Sequence, residues 1–127
     1  MASSDPEFAH YCCELLASAG HCTARRMFGG WGISTEGLNL ALLVDLGDGD
    51  TLWLKADDNT REQFEAAGCR RFTYLIKGEP KSMNYYSAPV DALEDRHMMA
   101  PWARLALDAA LRARASKPVK RTKTKQK

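Results

Sequence analysis

Arg26-Met27-Phe28-Gly29-Gly30-Trp31-Gly32-Ile33 sets three glycines among aromatic residues where a β-pattern begins. Glycine inside a strand costs backbone entropy, so it marks a bulge, a sharp bend or a close backbone approach. The stretch predicts a strand over 24–34 bent at Gly29-Gly30. A phosphate cradle would need G-x-x-x-x-G-K-[ST], or G-x-G-x-x-G opening a helix. Neither pattern is present, and the glycines lead into a strand, so the bend outweighs a ligand-approach reading.

Upstream, Asp5-Pro6-Glu7 has an N-cap acid, proline at the first helical position and a first-turn acid. Phe8, Cys12, Leu15, Leu16 and Ala19 follow at helical spacing and Gly20 stops the run, predicting a helix over 5–19. Downstream, Leu38, Leu40, Leu42 and Val44 alternate with Asn39, Ala41 and Leu43, which predicts a strand with one strongly apolar face. Gly47-Asp48-Gly49-Asp50 makes a hairpin turn, and Leu52 and Leu54 face away from Trp53 in the next strand.

Asp57-Asp58-Asn59 caps a second helix, with Phe64 and Ala67 inward and Gly68 at its end. Phe72, Tyr74 and Ile76 alternate in a fourth strand. After a turn at Gly78-Glu79-Pro80, Met83 and Tyr85 alternate in a fifth, which Pro89 breaks. A last helix over 91–114 starts or kinks at Pro101. It carries the apolar stripe Trp102, Leu105, Ala106 and Ala109, and a solvated charged face of Arg104, Asp108 and Arg112. Connections this short suit antiparallel pairing. The expected fold is α+β and two-layered: a five-stranded antiparallel sheet with helices, in the order α-β-β-β-α-β-β-α.

The chain has 127 residues, enough for one core without disulfides. At 45% apolar and 27% charged it has the balance of a globular domain. No apolar run is long enough for a membrane helix, and the N-terminus lacks the basic and apolar regions of a secretory signal, so the expected location is cytoplasmic. Cys12, Cys13, Cys22 and Cys69 form no C-x-x-C pair, and with His10 and His21 they miss zinc-ligand spacing. Reduced, partly buried thiols are expected, with no metal and no cofactor.

The net charge of +2 is unevenly spread. Lys117, Lys120, Arg121, Lys123, Lys125 and Lys127 form a basic stretch without acids, leaving 12 basic and 16 acidic residues in 1–114, a net of −4. Residues 1–114 read as one domain and 115–127 as a disordered basic tail. Such a tail suits weak, non-specific contact with DNA or RNA phosphates. It has no aromatic residue for insertion into a membrane surface.

Met27-Phe28-Gly29-Gly30-Trp31-Gly32 is followed by Trp53-Leu54-Lys55-Ala56-Asp57 and Phe64-Glu65-Ala66-Ala67-Gly68. Phe72-Thr73-Tyr74, Ser82-Met83-Asn84-Tyr85-Tyr86 and Ala100-Pro101-Trp102-Ala103 complete the series. In order and spacing these resemble the N-terminal domain of the TfoX/Sxy family, bacterial regulators of natural competence, over about residues 20–114. The resemblance implies a helix, three strands, a helix, two strands and a helix. It also implies a link to transcription of competence genes, in which full-length members act with the cyclic-AMP receptor protein. Those members carry a second domain resembling helix-hairpin-helix modules; here the matching part is followed by the basic tail.

No catalytic constellation is legible. His21 and His97 stand at no recognisable motif spacing from a nucleophile or carboxylate. Arg26, Met27, Phe28, Gly29, Gly30, Trp31, Gly32, Trp53, Lys55, Tyr85 and Tyr86 form the family motif and the candidate interaction face. Trp53 and Tyr86, opposite their strands' better-packed neighbours, are the expected exposed aromatics. A basic patch could arise if Arg25, Arg26, Lys55, Arg70, Arg71, Lys77 and Lys81 shared one face. The expected function is a non-catalytic regulatory module acting through a protein partner in transcription. That reading predicts an exposed apolar patch near Trp53 or Tyr86. The alternatives are a binder of a small anionic ligand, with a basic pocket near Gly29 to Gly32, and an enzyme with His97 or His21 in a cleft.

Overall fold

The computed structural model describes residues 6–27, 29–47 and 49–116. Phe28 of the glycine motif, the N-cap Asp5, and the basic residues Lys117, Lys120, Arg121, Lys123, Lys125 and Lys127 lie outside the described residues.

Helix α1 (Pro6–Leu15) begins at its proline. The expected helix over 5–19 is α-helical only in this part; a 3-10 turn at Ala17–Ala19 completes it, and Gly20 closes it at φ 136°. Instead of a single bent strand over 24–34, the chain forms a hairpin. Strand β1 (Thr23–Met27) pairs antiparallel with β2 (Gly30–Thr35), Met27 opposite Gly30, and Gly29 turns at φ 75°. The sheet therefore has six strands, not five. Strands β3 (Leu38–Asp45) and β4 (Asp50–Lys55) follow, then helix α2 (Arg61–Ala66) and strands β5 (Arg71–Ile76) and β6 (Glu79–Ser87). The last two are joined at Lys77 and Gly78, so Glu79 and Pro80 belong to the strand rather than to the turn. A 3-10 turn at Val90–Glu94 leads into helix α3 (Arg96–Ser116), which runs through Pro101 instead of starting there. The sheet order is β1-β2-β3-β4-β6-β5, antiparallel throughout. With helices on one face, this is an α+β domain of two layers.

Steric clearance explains two of the glycines. A Cβ on Gly30 would fall 2.1 Å from the Leu43 carbonyl oxygen, a backbone atom with nowhere to go. On Gly32 it would fall 2.2 Å from the Met27 sulfur, the far part of a flexible side chain.

The alternation expected to put Leu38, Leu40, Leu42 and Val44 on one face is broken by a bulge. Ile33 pairs with Ala41 but Ser34 with Asn39, which leaves Leu40 as the extra residue. Leu38 and Leu40 stay on the helix side, joined there by Ala41 and Leu43, while Leu42 and Val44 turn to the other face.

The helix-side core gathers Cys12, Leu15 and Leu16 from the first helical segment, Phe64 from α2, and Leu43, Leu52, Leu54 and Tyr86 from the sheet. Helix α3 packs on β3 and β4. Its buried stripe is Met99, Ala103, Ala106 and Ala110 with Ala109, and Trp102 and Leu105 are only half-buried at its flank. Methyl-sized side chains let the helix lie close to the sheet. Phe64 stacks on Tyr86 at 5.4 Å and meets Trp102 at 5.2 Å. Ala67, expected inward, is exposed, because α2 is a single short turn and a half that ends before it.

Arg112 leaves the expected surface trio. Arg104 pairs with Asp108 at 3.0 Å, but Arg112 reaches Asp57 with two hydrogen bonds, of 2.7 and 3.1 Å. Asp57 also accepts the backbone N–H groups of Asn59 and Thr60, and the Thr60 hydroxyl accepts the Asp57 N–H at 3.0 Å. This reciprocal pair caps the turn over residues 57–60 that leads into α2, whose own N-cap Thr60 makes no side-chain cap bond. One carboxylate thus holds the approach to α2 and ties down the end of α3.

Two predictions follow from these contacts. Gly30→Ala should cost about 3 kcal/mol in urea denaturation, because backbone cannot yield, whereas Gly32→Ala should cost less and be partly rescued by Met27→Ala. Arg112→Ala should cost about 1 kcal/mol, the half-exposed pair being solvent-screened, and Asp57→Ala about 1 kcal/mol more through the lost cap. The Arg112 hydrogen bond holds the Asp57 carboxyl below its usual range. The stabilisation is therefore present above the unfolded carboxyl pKa and is lost as pH falls through the lowered folded value. The Arg112→Ala penalty should fade over that acidic interval in pH-dependent melts.

Candidate interaction face

Helices cover one face of the sheet, and the other face bears its own apolar cluster. Leu42, Val44, Trp53, Phe72 and Tyr85 are buried there, with Met27, Tyr74 and Met83 packed against them. The register explains the membership. Arg25, Gly32, Leu42, Trp53 and Ser87 form one cross-strand row from β1 to β6, and Lys55 sits beside Tyr85 in the next. Tyr74 lies opposite Lys81 on the outer hairpin. Gly30 and Gly32, having no side chains, leave room for Met27 to lie along the sheet.

A groove of about 250 Å³ runs across this face, lined by Leu42, Val44, Leu46, Phe72, Tyr74 and Met83. Leu46, just past the end of β3, is 40% exposed. Two cations lie over ring faces on the same side of the sheet. The Arg70 guanidinium sits 5.4 Å over the Trp53 ring, and the Lys55 ammonium 5.2 Å over Tyr85. Each such contact is worth about 0.5–1 kcal/mol at exposed sites.

Trp53 and Tyr86 are not the exposed aromatics expected from sequence: they are 2% and 1% exposed. Trp53 is covered by Phe72, edge-on at 5.0 Å, and by Arg70. Tyr86 is on the helix side, its hydroxyl donating to Glu65 at 2.6 Å. The indole N–H groups of Trp53 and Trp31 are buried with no acceptor among the described residues. On the strands and their turns the exposed large apolar residues are Leu46, Leu75 and Ile76 instead, none of them in the family motif, and Tyr11, Val90, Met98 and Leu111 are exposed on the helical segments. Trp53 and Tyr86 are both buried because each face of the sheet has an apolar cluster.

The motif residues do not share one face. Met27, Gly30, Gly32, Trp53, Lys55 and Tyr85 belong to the uncovered side, whereas Trp31 packs toward the helices and Arg26 lies 4.7 Å over its ring. The basic residues divide likewise. Arg25, Lys55, Arg70 and Lys81 fall on the uncovered side. Arg71 instead binds the Met83 carbonyl and the Asn84 amide oxygen, where the β5–β6 register shifts. Among the described residues, the cavities gather none of these basic residues at Gly29 to Gly32.

A hollow of about 480 Å³ between α1 and β1 collects His10, Cys13, Glu14, His21 and Cys22. Its chemistry is quiet. Burial pushes the Cys22 thiol up to about 11, and Cys22 donates to the Leu16 and Gly20 carbonyls. Burial also raises Cys13 and Cys69, and takes Cys12 to about 12. A nucleophilic cysteine needs the opposite shift. Among the described residues no group of three His, Cys, Asp or Glu could share a metal ion. His97 is 93% exposed beside Asp95, outside any cleft. Native-state titration with a disulfide reagent at pH 8 should therefore show every thiol reacting more slowly than free cysteine, with no fast phase.

An antiparallel six-stranded sheet entered through a glycine hairpin, faced by helices on one side and bare on the other, is the frame on which the sequence similarity falls. The TfoX N-terminal domain matches residues 14–110, from the last turn of α1 to the last buried residue of α3. No curated protein matches the sequence. Because that match takes in every strand and most of the chain, the protein belongs to the TfoX N-terminal domain family.

Proposed function

We propose that this protein is a non-catalytic regulatory module that acts in the cytoplasm by docking a protein of the transcription machinery on the uncovered sheet face. The observation that carries the reading is the apolar groove of Leu42, Val44, Leu46, Phe72, Tyr74 and Met83 on a face without helices. Contiguous apolar surface rimmed by polar groups is the usual mark of an interaction site. The groove is smaller than the roughly 300–1,000 Å³ of most small-molecule pockets, and suits one or two anchoring side chains of a partner. The raised thiols and the exposed His97 offer no nucleophile–base pair. Family membership supplies the class, regulation linked to competence. The stretch from Lys117 to Lys127 adds weak, sequence-independent phosphate affinity.

Purified cyclic-AMP receptor protein and RNA polymerase are the partners to test by surface plasmon resonance against the full chain. Binding of at least one is expected, weakened tenfold or more by Leu46→Glu, an exposed position where the fold tolerates charge. Absence of binding to both overturns the transcription assignment. A truncation ending at Arg114 should keep that binding, yet lose affinity for a DNA duplex in an anisotropy titration. Equal DNA binding by the truncation would remove the tail's role.

A further inference from the structure

We infer that the outer strand β5 pairs with β5 of a second copy of the chain, antiparallel about a two-fold axis at Tyr74. The contact uses the edge of the sheet rather than the groove, so it goes beyond the docking reading and does not rest on it.

The two edges of the sheet differ. An edge strand leaves a row of N–H and C=O groups unpaired, and proteins guard such a row with charge, proline, bulges or a covering element. At one edge, β1 carries Arg25 and Arg26 in its middle and has α1 packed against it. At the other, β5 has β6 as its principal contact. Phe72-Thr73-Tyr74-Leu75-Ile76 holds no charge, proline or glycine. The register shift near Arg71 puts its extra residues on β6, and Thr73 to Ile76 pair regularly. Leu75 is 71% exposed and Ile76 43%. Thr73 and Leu75 point to the helix side yet are exposed, so the described helices do not roof this end of the strand and a second sheet can continue the first. An apolar edge left open in this way is a template for another strand.

What selects a second copy is that this edge is complementary to itself. With a two-fold axis perpendicular to the sheet at Tyr74, Phe72 stands opposite Ile76 twice and Tyr74 opposite its own twin, all on the uncovered face. Thr73 stands opposite Leu75 twice on the other face. Directly opposed side chains are the contacts that stabilise a strand pair, aromatic with β-branched among them. The like charges that meet, Arg71 and Lys77, fall at the ends of the pairing. There the Arg71 guanidinium is turned back to donate to the Met83 carbonyl and the Asn84 amide oxygen of its own β6. Centring on Thr73 would set Arg71 against Leu75, and centring on Leu75 would carry Phe72 past the end of the other strand. The two-fold uses up both β5 edges and leaves the guarded β1 edges outside, so association closes at a dimer. Six residues from each copy make a small contact, and the dimer is accordingly weak and concentration-dependent.

The test is sedimentation velocity of the full chain over a hundredfold range of concentration. Expected is a reversible monomer–dimer equilibrium, its Kd raised at least tenfold by Leu75→Lys, since the two-fold counts each substitution twice. Leu75 is exposed in the monomer, so the circular dichroism of that variant should match the wild type and separate lost pairing from lost folding. Oxidation reads the register. Opposed Cα atoms in an antiparallel pair lie about 4.5–5.5 Å apart, within disulfide reach. Tyr74→Cys should therefore crosslink into a dimer that a reducing agent separates. Leu75→Cys, whose twin is displaced along the strand, should not, and the wild-type chain controls for the native thiols. A monomer at every concentration, a dimer indifferent to Leu75→Lys, the reverse crosslinking pattern or open-ended growth would each overturn the inference. So would self-association abolished by Leu46→Glu, which would place the contact in the groove. The two readings fail separately: Leu46→Glu should dimerise like the wild type, and a chain that stays monomeric leaves groove docking untouched.

Discussion

The bulge at Leu40 is the feature on which the rest of the molecule depends. A strand with period two would send Leu38 through Val44 to one side and leave the other side polar. One extra residue reverses the phase midway, so β3 is buried on both faces from Ala41 to Val44. Helices can cover only one of those faces. The alanine stripe of α3, with Leu15, Leu16 and Phe64, takes the helix side. The other face must shield its leucine and valine by local means.

Those means are visible residue by residue. Met27 lies along the sheet where Gly30 and Gly32 present no side chain. Phe72 and Tyr74 meet edge-on at 5.8 Å, and Phe72 closes on Trp53. Arg70 and Lys55 lay their aliphatic stems and charged heads over rings, as long basic side chains do on apolar surface. The cover is thin and stops short of Leu46 and the groove beside it. What protects Trp53 and Tyr85 in the free protein is thus the ring of a neighbour and the side chain of a long cation.

Apart from the first strand, which is two, the order of elements was legible, as were the hairpin at Gly47 to Asp50, the proline start of α1 and the inward Phe64, because each rests on local chemistry. What the sequence hid is non-local. A glycine that permits a turn and one that avoids a neighbour's carbonyl look alike, so a hairpin reads as a bend until Leu43 is placed beside Gly30. Trp53 and Tyr86 were expected outside because their neighbours pack inward, yet a sheet with two apolar faces has an inside on both. Arg112 fits an i, i+4 pattern with Asp108, but a carboxylate 55 residues away already carries a cap and offers better geometry. Of the candidate interaction face, Trp53, Lys55 and Tyr85 were named from the motif and the groove was not, since Leu46 lies past the end of β3 and meets Phe72, Tyr74 and Met83 only across strands.

The two faces divide the work of the domain. On the helix side nearly every position is tied to another: Tyr86 to Glu65 and Phe64, α3 to the sheet through methyl groups, and α3 to α2 through Arg112 and Asp57. Change there propagates into stability. On the uncovered side, Leu46, Arg25 and Lys81 stand at the margin of the cluster, where charge and shape can vary while the core stays intact. The glycine motif connects the two requirements. It brings Trp31 under the helices and Met27 onto the open face in a single reversal, so the stretch most diagnostic of the family is the one that lets the sheet have two sides.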